Sequence, residues 1–508
     1  MGGLDISAAV ACYHTCMLWI IIGVVLVVEQ HNSNIAPPQD VLEEMIQDVI
    51  HTYDINILRV KRCSNSQSPS GKKKRKLIKY DRERALMCVN SDWMSPTPQF
   101  NDKQFERTYR IEKSMVDYII GNLVHDDTFW MQTIDAVGRP SISPIVKLLA
   151  AQQTICYGVS FSAFQAYYQM GESTARLCVS KLTRGIVECP AITDIYLRSP
   201  SKIDAKRIVK LHKDIHGLHG MLGSLDVTKV HWANCPVALK GQFEGKEGYP
   251  TIGLEAVADY NLWIWHSSFG FPGSLNDINI WDSSPLLASM QDGTHAAIDF
   301  DYVVNGEIFN MLYYLVDGIY PTLARFVATM SDPKSKVDIN FAREQESCRK
   351  DVERAFGVLK KKFSCLKHPI LLHHRDDIYY VVLACVAMHN MMVQVRMDDD
   401  EMEDASFYNM TAQTIVGGDR IEVSESVGIE QEAESANESA NAHGFDMSNV
   451  SDMTLKYHIV QRRWEDLYEY DTAIRLRNAI KTEMYRNKFG EEALDSSDMM
   501  ALDYNPLA

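Results

Sequence analysis

A lone carboxylate is costly inside buried, strand-forming sequence, and this chain carries one at the end of each of two such runs. Asp226 follows Met-Leu-Gly-Ser-Leu, and Asp317 follows Tyr-Tyr-Leu-Val. A third acidic residue, Glu353, lies in Arg-Lys-Asp-Val-Glu-Arg-Ala-Phe-Gly-Val-Leu-Lys-Lys-Lys-Phe, a segment with helical spacing. An ionised carboxylate among apolar neighbours needs a partner or a metal. Two strand-terminal aspartates and a helical glutamate therefore point to a metal site shared between a sheet and a helix.

The intervening sequence orders these residues. Residues 220–227 read as a strand, and 251–258 and 262–271 as two more, joined by the turn formers Asp259, Tyr260 and Asn261. Residues 276–287 read as a helix with Asp277 in its first turn, where a carboxylate can also cap backbone N–H groups. A fourth strand over 311–316 delivers Asp317, and an insertion over 320–340 precedes the helix of Glu353. On that helix Val352, Phe356, Leu359 and Phe363 make an apolar stripe, with Arg349, Glu353 and Lys360 in a second stripe one residue along. This is the order of an RNase H-like α/β domain with a mixed sheet. Its first strand lies beside its fourth, which would bring Asp226 and Asp317 together with Glu353 above them.

Composition supports a globular chain: 508 residues, 46% hydrophobic and 23% charged, suffice for two or three domains. The net charge of −16 is local. Residues 397–449 hold fourteen acidic residues against Arg420, a balance of −13, so the other 455 residues sum to −3. The acidity therefore says little about the core's partners. The eleven cysteines form no Cys-x-x-Cys pair, no His spacing completes a zinc site, and they read as reduced thiols of an intracellular protein.

Residues 1–40 contain an uncharged stretch over 6–28 that meets the length for a bilayer span, yet no Lys or Arg precedes Arg59. A linker over 41–104 carries the basic clusters Lys61-Arg62 and Lys72-Lys73-Lys74-Arg75-Lys76, which fit bipartite nuclear import. Nuclear localisation is the favoured expectation, and a membrane anchor through residues 6–28 the alternative. Residues 105–198 form a helical domain, read either as a helix-turn-helix whose last helix offers Arg176, Lys181 and Arg184 to DNA, or as a plain bundle. The catalytic α/β domain spans 199–396. An acidic segment over 397–450 is expected to be disordered, a helical hairpin fills 451–490, and a tail follows over 491–508.

The motifs Gly223-Ser224-Leu225-Asp226, His231-Trp232-Ala233-Asn234-Cys235-Pro236, Phe271-Pro272-Gly273-Ser274-Leu275-Asn276-Asp277, Glu353-Arg354-Ala355-Phe356-Gly357 and Met388-His389-Asn390 resemble the plant transposon protein family, of the Harbinger superfamily of DDE transposases. The likeness covers roughly residues 105–395. Thirty-five residues separate Asp317 from Glu353, as the DD35E pattern requires, and Arg349-x3-Glu353-x6-Lys360 is similar to a transposase signature whose usual Tyr is Glu346 here.

The resemblance implies Asp226, Asp317 and Glu353 as catalytic metal ligands with Asp277 as a fourth carboxylate, and Arg349 and Lys360 near DNA. It implies two Mg²⁺ or Mn²⁺ ions, which hard oxygen donors select over zinc. It also implies transposon terminal repeats and target DNA as substrates, a Myb-like second protein as partner, and a homo-oligomer. The competing reading is a domesticated or decayed descendant that binds DNA or protein without cutting.

Overall fold

The computed structural model describes residues 78–136, 138–295, 298–415 and 461–490. The segment over 6–28, both basic clusters, the acidic stretch beyond 415 and the tail lie outside the described residues.

Among the described residues, eight α-helices precede the sheet: α1 (Arg82–Val89), α2 (Asp102–Tyr109), α3 (Lys113–Asp126), α4 (Pro144–Tyr157), α5 (Gln165–Tyr168), α6 (Glu172–Glu188), α7 (Pro190–Tyr196) and α8 (Lys202–His216). Local chemistry sets their ends. Asn101 and Gln104 form a capping box that opens α2, and Arg110 in the left-handed region closes it, so the apolar pattern over 105–123 divides into two helices. The first helix of the expected helix-turn-helix is only two short turns. Ser160 accepts the Ser162 N–H to start a 3₁₀ turn, and Gln169 at φ 47° ends α5 after one turn.

The sheet region contains β1 (Met221–His231), α9 (Val237–Phe243), β2 (Thr251–Ala258), β3 (Ile264–Pro272), α10 (Asp277–Asp282), α11 (Pro285–Asp292), β4 (Ile298–Val304), β5 (Glu307–Met311), β6 (Tyr313–Val316) and β7 (Phe326–Ala328). Then come α12 (Lys336–Lys362), α13 (Arg375–Ile415) and α14 (Tyr470–Phe489). The five-stranded sheet has the order β3-β2-β1-β6-β7; β2 is antiparallel to both its neighbours, and β6 and β7 run parallel to β1. This is the RNase H-like mixed sheet expected from the sequence, with the strand before Asp317 beside β1.

Two details differ from expectation. The fourth strand is broken: β5 ends at Met311 and pairs with β4 in a separate hairpin, while β6 begins at Tyr313. The hairpin turns on Asn305 and Gly306, both with positive φ, the pair that two-residue turns favour. The segment read as an insertion holds β7, three residues long and too short to show a period.

One apolar cluster runs from α1 through α7 across Val230, Trp232, Ile252 and Leu254 to α12 and α13. The helices over 105–198 thus share a core with the sheet. The stripe expected on α12 is buried at Val352, Phe356, Leu359 and Phe363. Leu222, Leu225 and Val257 pack instead with α8, α10 and α11, and a third cluster holds α14 against Tyr313, Leu315 and Phe341. The stretch 375–397 of α13 is long and apolar enough to cross a membrane, but most of it is buried inside the protein. Helix α13 continues to Ile415, so the first part of the acidic segment is helical; Glu401, Met402, Glu403 and Ala405 are good helix formers extending a helix that the core already nucleates. At the C-terminal end, 461–467 is helical and α14 follows after a turn; the first ten residues of the expected hairpin lie outside the described residues.

The β1–β6 pairing shifts register between Met221 and Gly223. Gly223 has φ 149°, and a Cβ there would meet the Ala258 carbonyl oxygen at 2.8 Å and Val257 Cγ1 at 2.9 Å. Gly223→Ala is expected to lower stability by about 1–3 kcal/mol, read as a reduced midpoint in chemical denaturation.

Candidate active site at the open end of the sheet

Strand β1 outruns β6. The last pair is Ser224 with Leu315, and carrying that register two residues further sets Asp226 level with Asp317 on the same pleat face of strands about 4.8 Å apart. Asp226 does not end its strand, as the sequence suggested. β2 continues to pair with β1 as far as His231, so Asp226 sits mid-strand at the point where one side of β1 opens.

Helix α12 runs along this same face. Ser224 Oγ donates to the Cys348 carbonyl at 3.2 Å, and Lys360 Nζ donates to Thr228 Oγ1 at 2.7 Å and to the Lys229 carbonyl at 3.3 Å. Asp226 lies between these ties, opposite Arg349 and Glu353, whose own ion pair is 3.0 Å long. Burial pushes the Asp226 carboxyl up to about 6; the Val227 N–H and Arg349 oppose that shift, and the charges of Asp277 and Glu353 add to it.

Asp277 is the first residue of α10, yet the cap is Asn276, whose side chain accepts the Asn279 N–H at 2.9 Å. The capping role open to Asp277 in the sequence therefore belongs to its neighbour. Burial raises the Asp277 carboxyl, Lys246 and Lys229 counter it, and Asp317 and Glu247 reinforce it. Lys229 also donates to the Gly273 carbonyl at 2.7 Å, which fastens the loop before Asp277 to β1. Asp317 accepts the Gly318 N–H at 2.6 Å.

Three residues that sequence reasoning passed over complete the site. Gln345 is fully buried and donates from Nε2 to the carbonyls of Val316 and Val327, each at 3.0 Å, so it fixes the end of β6 just before Asp317. It stands in an apolar stripe with Phe341, Cys348 and Val352, and a lone amide at that spacing was the available signal. Tyr320 is buried; burial holds its hydroxyl protonated, and Asp277, Asp226, Glu255 and Asp317 all reinforce this, so one ring lies among four carboxylates. Glu255, wholly buried on β2, is held by Ser284 Oγ and by His266 Nε2 at 3.0 Å.

Asp226, Asp277, Asp317 and Glu353 suit a hard divalent ion: all are carboxylates, half-buried or exposed, and their mutual repulsion is what a cation would relieve. Among the described residues, no three of them converge within 4.8 Å. Because a carboxylate must lose its proton to ligate, Mn²⁺ affinity should rise as pH passes through about 6 and level off above it. Titration calorimetry at pH 5 and pH 7 checks this, the expected loss at the lower pH being up to about tenfold.

The cations assigned to DNA from sequence are otherwise engaged. Lys181 pairs with Asp127 at 2.6 Å, and Arg184 pairs with Asp377 at 2.9 Å and covers the Tyr380 ring, which ties α6 to the turn after α3 and to α13. Arg176 pairs with Glu172 at the surface, at 2.6 Å. A basic surface lies elsewhere. A cleft of about 440 Å³ between α2, the end of α12 and α13 is lined by Lys103, Arg107, Arg110, Lys361, Lys362 and Arg396, with Glu106 and Val358. Lys362 Nζ is buried there without a hydrogen-bond partner among the described residues, and burial with Arg396 pushes it down to about 8. The run Lys360-Lys361-Lys362 was visible in the sequence; that α2 supplies its other wall was not.

No curated protein and no solved structure matches the chain. A family model, that of the plant transposon protein, matches residues 194–402, the stretch that holds the five-stranded sheet, α12 and the acidic residues on β1, after β6 and on α12.

Proposed function

We propose that this chain is a transposase of the Harbinger type, which cuts DNA at transposon ends and joins those ends to a target. What supports the reading is that α12 lies against β1 around Asp226, where the charges of Asp277 and Glu353 act on it, and that Asp317 acts on Asp277 in turn. Asp226, Asp317 and Glu353 would hold two Mg²⁺ or Mn²⁺ ions, with Asp277 beside them. Such ions activate water or a 3′-hydroxyl and stabilise the leaving 3′ oxygen of a phosphodiester.

The chain's own residues do the positioning. Arg349 holds Glu353 through their ion pair, and Gln345 holds the strand that ends at Asp317. Lys361 lies about 12 Å along α12 from Glu353, so a DNA backbone lying in the basic cleft could run on to the carboxylates. The working form is proposed to be a nuclear homo-oligomer acting with a Myb-like DNA-binding partner. The test is purified full-length protein with DNA bearing the element's terminal repeats. Nicked or joined products are expected with Mn²⁺ or Mg²⁺ and none with EDTA; no product with either metal overturns the reading.

A further inference from the structure

A second cluster of potential ligands lies where the last turn of α8 meets α12. His212 and His216 stand four residues apart on one face of α8, and Asp351 reaches them from α12. One ligand atom from each of the three lies within 4.8 Å of the others. Their hydrogen bonding is incomplete. Among the described residues, both ring nitrogens of the fully buried His212, Nε2 of His216 and Oδ2 of the buried Asp351 have no hydrogen-bond partner.

Burying three polar side chains in mutual contact, with these atoms unsatisfied, costs free energy that nothing in the packing repays. The surroundings are those of a held ligand set. The other Asp351 oxygen takes the Arg354 guanidinium, which orients the carboxylate and leaves Oδ2 toward the histidines. His216 packs on Tyr260 in the β2–β3 turn, at 5.3 Å between ring centroids, and Arg354 lies over the same ring. His212 is neutral, its imidazole pushed down to about 3 by burial and by His216, which is the form that binds a metal.

We propose that His212, His216 and Asp351 bind one divalent transition-metal ion of the Zn²⁺ type, separate from the carboxylate site that would take Mg²⁺ or Mn²⁺. Two imidazoles and a carboxylate are a zinc donor set, and three protein ligands leave a position for water. The ion would staple α8 to α12 two residues before Glu353 and so fix the helix that carries that carboxylate. This site stands apart from the proposed cutting activity and does not depend on it.

The experiment uses full-length protein stripped with chelator and titrated with Zn²⁺ against a chromogenic chelator, in excess Mg²⁺ to occupy the carboxylates. One equivalent is expected to bind, to raise the melting temperature, and to remain in Asp226→Asn. His212→Ala with His216→Ala, and Asp351→Asn alone, should each lose that equivalent. Should the double variant fail to fold, X-ray absorption on the zinc-loaded wild type decides: nitrogen and oxygen ligands with two imidazoles support the site, and a sulfur ligand overturns it. Absence of stoichiometric uptake, or uptake that survives the histidine changes, also overturns it.

Discussion

Asp226→Asn is expected to lower metal-dependent DNA cleavage by at least about 1000-fold while leaving DNA affinity within about twofold. Asparagine keeps the size of the side chain and removes the charge, so the effect reports metal binding rather than packing. The fold should tolerate the change well. Burial and the charges of Asp277 and Glu353 already disfavour the ionised form of Asp226, and an amide relieves that repulsion. The signature is a protein as stable as the wild type, or more so, that binds terminal-repeat DNA and does not cut it. Paired cleavage and filter-binding assays with a thermal melt read all three quantities.

The second large effect concerns the basic cleft. Lys103, Arg107 and Lys361 line it with exposed side chains, so replacing all three by Ala should leave the fold intact. Losing three phosphate contacts should weaken DNA binding on the order of 100-fold and reduce the slope of log affinity against log salt by about 3. Arg176→Ala on α6 serves as the comparison. Its guanidinium is exposed and paired with Glu172, and its loss should change the salt slope by less than about 1. A triple variant with unaltered slope, beside a steep loss in the Arg176 variant, would return DNA contact to α6.

How far the site was legible in the sequence depends on the range of the interaction that made it. Asp226 and Asp317 announced themselves because each follows an apolar run, and a period of two or a short buried run is a local property. Glu353 was legible through the 4-3-4 stripe of Val352, Phe356, Leu359 and Phe363, which orients the helix. The exact end of β1 was not. Whether a strand stops at Asp226 or continues to His231 is decided by pairing with β2, whose residues lie some way along the chain.

Ionic partners were equally out of reach. Arg184 reads as a DNA-facing cation until Asp377, nearly two hundred residues later, folds against it. Tyr320 and the far wall of the basic cleft were hidden for the same reason, whereas Gln345 left a signal as a lone amide in an apolar stripe. By contrast the β4–β5 hairpin carried a local signal in Asn305-Gly306; the expectation that no His spacing completes a zinc site passed over His212-x3-His216. The histidine pair becomes meaningful only when α12 brings Asp351 to it.

The central claim is that one metal centre is shared by β1, the end of β6 and α12. Anomalous scattering from crystals grown with Mn²⁺ tests it most directly. The account predicts manganese between Asp226, Asp317 and Glu353, with the Asp277 carboxylate adjacent. Manganese held by Asp226, Asp277 and Glu353 with Asp317 turned away, or no manganese at these carboxylates at saturating concentration, would contradict it.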